Sequence, residues 1–344
     1  MVKVRALVVL TLLAIAIVLS GCQQPSPPAT PTPTPTPTPQ TPSSLTLASG
    51  TVGGVYIYYC SGLASIYSKY LNISANAVQT KASVDNLLYV YKSPSDTIGI
   101  ALIKSVDDAW TGKLAAFENK PQNWIRVLWV PYSTPIHIVT RADSGIKTVY
   151  DLKGKRVSTS APGSGTEVDA FAILSAAGID PSKDFTVWQR IGAKESADAL
   201  LDDKIDAYFW SGTIPTASVS ELATNLKQRG KQIAFVEVPD GVVKKLNEMY
   251  PGLYVPDVMK KEYYGSPADV QTVSTLNVMF CHKDLPEDFV YKLVKATFEH
   301  LDELYAVHPA AKQTTLENAV IYKGNVPYHP GAIKFFKEKG VWKE

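Results

Sequence analysis

Cysteine is scarce in this chain: 344 residues hold three, Cys22, Cys60 and Cys281, and no CxxC pair occurs. That argues against a structural zinc site and against thioredoxin-like redox chemistry. Histidine is nearly as sparse, and the five (His137, His282, His300, His308, His329) form no HExxH. No GxSxG elbow, GxGxxG fingerprint or Walker lysine is present either. No catalytic residue, metal site or cofactor is therefore expected. His329, inside Pro327-Tyr328-His329-Pro330, reads as a structural hydrogen-bonding residue. Asp107-Asp108 and Asp202-Asp203 read as solvated helix acids. Charge of one sign is lacking too. Loss of the first 21 residues would remove Lys3 and Arg5 and no acid, taking the formal net charge from +2 to zero. A neutral body has no general attraction for nucleic acid.

What is present begins with a basic start and one apolar run, Ala6–Leu19, ending in Leu19-Ser20-Gly21-Cys22. The run has the length of a signal h-region, about 7–15 residues, and is short for a spanning helix of roughly 20. Residues 1–21 are expected to be a lipoprotein signal, with Cys22 the lipidated new N-terminus. The body would then be extracytoplasmic and held at the membrane by lipid. Residues 22–44 are rich in Pro and Thr, which alternate from Thr30 to Pro39. Proline locks φ and donates no hydrogen bond, so this segment reads as a polyproline spacer with a reach on the order of 70 Å.

Residues 45–344 exceed one usual core and predict two lobes. Short β-rich runs alternate with helical stretches, which predicts α/β layers with mostly parallel strands. Strands are expected at Leu45–Ala48, Ala75–Thr80, Thr97–Ile103, Ile125–Val130, Ile136–Thr140, Arg156–Ser160, Ile205–Trp210, Ile233–Val238 and Thr272–Cys281. Helices are expected after Gly54 (core face Tyr59, Leu63, Ile66, Tyr67, Tyr70), at Val84–Tyr91 with Ser83 as cap, from Thr166 to Ala177, and at Val219–Leu226, Phe289–Tyr305 and Ile333–Lys339. The division predicted is 45–135 for the first lobe, 136–274 for the second, and 275–344 for the return to the first.

Two loops stand out, Gly50-Thr51-Val52-Gly53-Gly54 and Gly163-Ser164-Gly165-Thr166. Each follows a strand and opens a helix. Glycine lets backbone approach a ligand, and helix-start N–H groups favour an anion. Plain self-capping turns would look the same. One such loop in each lobe is what a clamp around a small carboxylate requires. Tyr56, Tyr132, Tyr208 and Trp210 either wall that pocket or fill the core.

The run Gly50-Thr51-Val52-Gly53-Gly54-Val55-Tyr56 resembles the first signature of the TAXI proteins, solute-binding subunits of TRAP (tripartite ATP-independent periplasmic) transporters. In order follow Ser83-Val84-Asp85-Asn86-Leu87, Asp151-Leu152-Lys153-Gly154-Lys155-Arg156-Val157, Ala161-Pro162-Gly163-Ser164-Gly165-Thr166-Glu167, Ile205-Asp206-Ala207, Gly212 with Pro215, and His329-Pro330-Gly331-Ala332. The resemblance spans the body. It implies a two-lobed periplasmic-binding α/β fold (type II-like) with a ligand cleft and crossing strands. It also implies capture of a small organic anion, a dicarboxylate or amino acid such as glutamate or 2-oxoglutarate, for a TRAP-type permease. The ligand residues expected, from the loops and from the resemblance together, are Thr51, Gly53, Gly54, Tyr56, Ser83, Asn86, Lys104, Tyr132, Gly163, Ser164, Gly165, Thr166 and Trp210. The chain departs from the family pattern at Lys81-Ala82 and at Leu102-Ile103-Lys104, where either lysine could pair with a second carboxylate or point to solvent. A monomer is expected. A binding lipoprotein of an ABC importer, or an enzyme on the same scaffold, would share the architecture.

Overall fold

The structure is a computed structural model, and it describes residues 42–52 and 54–343. The expected signal, the lipidation at Cys22, nearly all of the spacer and Gly53 lie outside the described residues. Among the described residues no helix is long and apolar enough to cross a membrane.

The chain alternates strand and helix from its start. Strand β1 (Ser44–Ala48) leads to helix α1 (Val55–Leu71), β2 (Ser74–Val78) to α2 (Ser83–Lys92), and β3 (Thr97–Leu102) to α3 (Ile103–Trp110). Strands β1 to β3 are parallel, in the order β2-β1-β3. Every residue of β3 is buried, as a strand covered on both faces must be. Next come β4 (Ile125–Trp129) and the long β5 (Ser133–Arg141), then β6 (Arg156–Ser158), helix α4 (Gly165–Ala176), β7 (Val187–Gln189) and a helix at Ala193–Leu201. Strand β8 (Ala207–Ser211), a helix at Ala217–Gln228, β9 (Ile233–Phe235), a helix at Asp240–Met249 and β10 (Tyr254–Met259) precede β11 (Val270–His282). Helices at Glu287–Glu299 and Pro330–Glu338 close the chain.

Two strands belong to both groups. The second half of β11 pairs antiparallel with β3 and β4, whereas its first half pairs with β10 and with Ser133–Pro135 of β5. The rest of β5 pairs with β8 and β9. The expected return of Thr272–Cys281 to the first strands is therefore present, and β5 and β11 are the crossing strands of a mixed α/β two-lobed fold.

Several elements differ from expectation. The third strand ends one residue early, because Ile103 already starts α3. The edge strand β10 was not expected; it carries Pro256 and Asp257 and buries only its two end residues, Tyr254 and Met259. The single helix expected over Phe289–Tyr305 breaks at His300, whose ring stacks on Tyr70 with 3.4 Å between centroids. Tyr70 is accordingly exposed rather than core, while Tyr59, Leu63, Ile66 and Tyr67 are buried as expected. Asp108 is buried, not solvated. Cys60 and Cys281 are free and fully buried, and burial pushes both thiols up. His329 caps the final helix, its Nδ1 accepting from the Gly331 N–H, and burial pulls it down to about 4.

Candidate functional site

Parallel strands send their helices back from the same edge, so helix starts collect at the carboxyl ends of the strands. Here four of them face one cavity. Gly54-Val55 opens α1, Ala82-Ser83 opens α2, Ser164-Gly165-Thr166 opens α4, and Gly192-Ala193 opens the helix at 193–201. The first N–H groups of a helix have no partner within it. Three of the four starts have no side-chain cap, which leaves those amides for another acceptor. In α4 the Ser164 Oγ accepts from the Glu167 N–H at 3.2 Å. The cavity encloses about 600 Å³, part of it continuous with solvent.

Side chains complete the lining. Tyr132 and Thr213 line the cavity, each residue is 2% exposed, and among the described residues neither hydroxyl has a hydrogen-bond partner. A buried hydroxyl left without a partner costs about 1–3 kcal/mol, so a polar ligand is the natural occupant. Asn277, from the middle of β11, is fully used. Its Nδ2 donates to the Tyr132 carbonyl (3.1 Å) and Thr134 Oγ1 (2.6 Å), and its Oδ1 accepts from Tyr56 Oη at 2.6 Å. Trp210 Nε1 donates to Thr216 Oγ1 at 3.0 Å, which fixes the indole as a wall. Among the described residues, Lys81 is the one charged side chain of the lining.

A second layer holds this lining in place. The Asn86 Nδ2 donates to the carbonyls of Ser49 (2.6 Å) and Ile100 (2.7 Å), tying the ends of β1 and β3 together. Ser83 Oγ accepts from the Leu102 N–H at 3.0 Å. Thr166 Oγ1 accepts from the Ser211 N–H at 3.1 Å, and Ser211 Oγ donates to the buried Asp169 at 2.8 Å. Tyr254 also donates to Asp169, yet burial wins and pushes its carboxyl up to about 6. Glu167, in the first turn of α4, accepts from Arg190 Nε (2.5 Å) and Nη2 (2.9 Å), so its charge is balanced by Arg190.

Of the expected ligand residues, Thr51, Gly54, Tyr56, Ser83, Tyr132, Ser164, Gly165, Thr166 and Trp210 line this one cavity. Asn86 and Gly163 do not line it. Asn86 supports from behind, and Gly163 turns the loop at φ +81° with its N–H on Glu167. Lys104 does not line it either. Its ammonium is buried against Asp108 and over the Tyr250 ring, 4.1 Å from the centroid. Turning into a helix at Ile103 puts Lys104 one helical turn from Asp108, and that pairing satisfies both charges. Tyr208 lies in the core. Thr134, Ser160, Gly192, Ala193, Ser211, Thr213 and Asn277 were not anticipated. Gly192 also opens a helix, but the three-residue strand before it has no buried residue and so no alternation to read.

Ala82 and Ser160 line the cavity with φ of +75° and +77°, a region that side chains avoid. Strain of this kind collects at ligand clamps. Replacement of Ala82 by glycine should raise stability by about 1 kcal/mol, seen as a higher urea midpoint at unchanged slope. A lower midpoint would show that Ala82 sits there without strain.

The sequence profile of the NMT1-like family matches residues 47–340. Among solved structures, the chain is similar to MatC from Rhodopseudomonas palustris with bound malate, at 14% identity and a TM-score of 0.52 over 87% of this chain and 96% of that one. A Xanthomonas citri protein bound to ATP is similar at 11% identity and a TM-score of 0.49, over 87% of this chain and 97% of that one. A TctC solute binding protein from Polaromonas follows at 16% identity and a TM-score of 0.43, over 78% of this chain and 86% of that one.

Proposed function

Because the chain belongs to the NMT1-like family, the TAXI-type solute-binding proteins of TRAP transporters, we propose that its cavity captures a small organic anion for a TRAP-type membrane permease. The family is one of binding proteins rather than enzymes. The observation that carries the reading is the lining itself. Among the described residues, four helix starts, two buried residues whose hydroxyls have no partner and one lysine line a space that no carboxylate lines. Helix-start amides and their dipoles favour negative charge, each by about 0.3–1 kcal/mol when exposed and more when water is excluded.

Residues on the lining come from both sides of the crossing strands. Closure about β5 and β11 would exclude water and strengthen every polar contact inside. No bond need be made or broken. The cargo is a carboxylate of dicarboxylate or amino-acid type such as 2-oxoglutarate or glutamate; malate, bound in the MatC structure, is an anion of the first kind. Lipidation of Cys22 and the Thr-Pro spacer would hold the body near its permease.

Mass spectrometry of small molecules released by denaturing the purified protein tests this. A carboxylic acid released in near-equimolar amount is expected. Release of a cation or a neutral sugar in that amount would contradict the anion reading.

A further inference from the structure

We propose that the cavity selects a dicarboxylate that carries no ammonium group, and that Lys81 is the specificity-determining residue that holds its second carboxylate. The proposal rests on the anion reading above and narrows it to one chemical class.

The argument is a count of protons at the lining side chains. The Asn277 amide is oriented by its nitrogen, which faces the Tyr132 carbonyl, so its oxygen is the acceptor and Tyr56 must donate. Tyr56 then offers the cavity a lone pair only. Ser211 spends its proton on Asp169 and likewise offers lone pairs. Donors are far more numerous. Tyr132 and Thr213 have unspent protons. Thr134 and Thr166 use their oxygens as acceptors from Asn277 and from the Ser211 N–H, so their hydroxyl protons remain. The helix-start amides add to these. A carboxylate takes about four such donors, whereas an ammonium needs three acceptors and best a carboxylate.

No carboxylate among the described residues lines the cavity. Most of those on the elements that start there are already committed. Asp85 accepts from the Lys81 N–H, Glu167 from Arg190, Asp169 from Ser211 and Tyr254, and Asp198 pairs with Lys194, while the exposed Glu195 folds its Oε2 back against Gly192 at the start of its own helix. An amino-acid ammonium would therefore meet donors, positive helix ends and Lys81. Lys81 itself is exposed at the cavity, and among the described residues its ammonium has no ion-pair partner. It is the free cation that a second carboxylate requires, and charge-assisted contacts are roughly twice as strong as neutral ones.

Calorimetric titration of the full chain with 2-oxoglutarate and with glutamate, which differ at one group, tests the proposal. The dicarboxylate without an ammonium should bind about tenfold tighter or more. Lys81→Met should lower 2-oxoglutarate affinity by about tenfold or more, with the melting temperature unchanged because Lys81 is exposed, and Lys81→Arg should keep most of the affinity. Glutamate binding as tightly as 2-oxoglutarate, or a Lys81→Met variant with wild-type affinity, would overturn the proposal and leave the anion reading standing. Failure of both acids and of succinate and malate to bind the wild type would overturn the two together.

Discussion

Gly165→Val should abolish ligand capture while the protein stays folded. Gly165 is the first residue of α4, and a Cβ built on it would lie 2.3 Å from Ser83 Oγ, 2.7 Å from Leu102 Cδ1 and 2.9 Å from Ser83 Cβ. Real Cβ contacts are never so short. Ser83 and Leu102 sit on the first group of strands and helices, Gly165 on the second, so the two close on each other beside the cavity with no room for a side chain. Its φ is not in the left-handed region, so backbone conformation does not demand glycine here. What demands it is the approach. With the approach blocked, the fraction of molecules able to close falls, and apparent affinity falls with it, by about a hundredfold or more. Calorimetry should show that loss, and small-angle scattering should show an expanded molecule that the ligand no longer compacts. Wild-type affinity in this variant would mean that the contact plays no part in capture.

Lys104→Ala should cost stability rather than affinity. Lys104 and Asp108 are 4% and 7% exposed and face each other across one helical turn. Removal of one partner of a buried ion pair leaves the other charge without solvent or counter-ion, at a cost of about 3–5 kcal/mol. The expected result is a urea midpoint lowered by that amount at an unchanged slope. Lys104→Met with Asp108→Leu should recover most of it, because an apolar pair of similar volume leaves no unpaired charge. A loss below about 1 kcal/mol in the single variant would place the pair among weak, solvated ones.

The sequence made the framework legible where local chemistry is strong. The period of Tyr59, Leu63, Ile66 and Tyr67 fixed the buried face of α1, and the long β-rich run at 272–281 showed the crossing strand. Both glycine loops were visible because strand, glycine and helix follow in immediate succession. The third such start, Gly192-Ala193, was missed because the strand before it, Val187–Gln189, has three residues and no buried one, so no periodicity announced it. Asn277 is one of four polar residues in the run 272–281, with Thr272, Ser274 and Thr275, and nothing local marks it as the one that lines the cavity. Lys104 was misplaced for a different reason. A residue just past a strand faces the cleft if the chain continues as a loop, and turns away if a helix starts at once. Its fourth neighbour Asp108 was the signal for the helix. Tyr132 and Thr213 could not be read at all, since a hydroxyl without a partner is a property of three-dimensional packing.

A crystal structure of the chain with 2-oxoglutarate tests most directly whether the helix starts and the two partnerless hydroxyls form a carboxylate cradle. One carboxylate should lie within hydrogen-bond distance, about 2.7–3.2 Å, of Tyr132 Oη or Thr213 Oγ1 and of first-turn amides of α1, α2 or α4. Density for the acid outside this cavity, or with its carboxylates turned to solvent and those hydroxyls still unpaired, would contradict it.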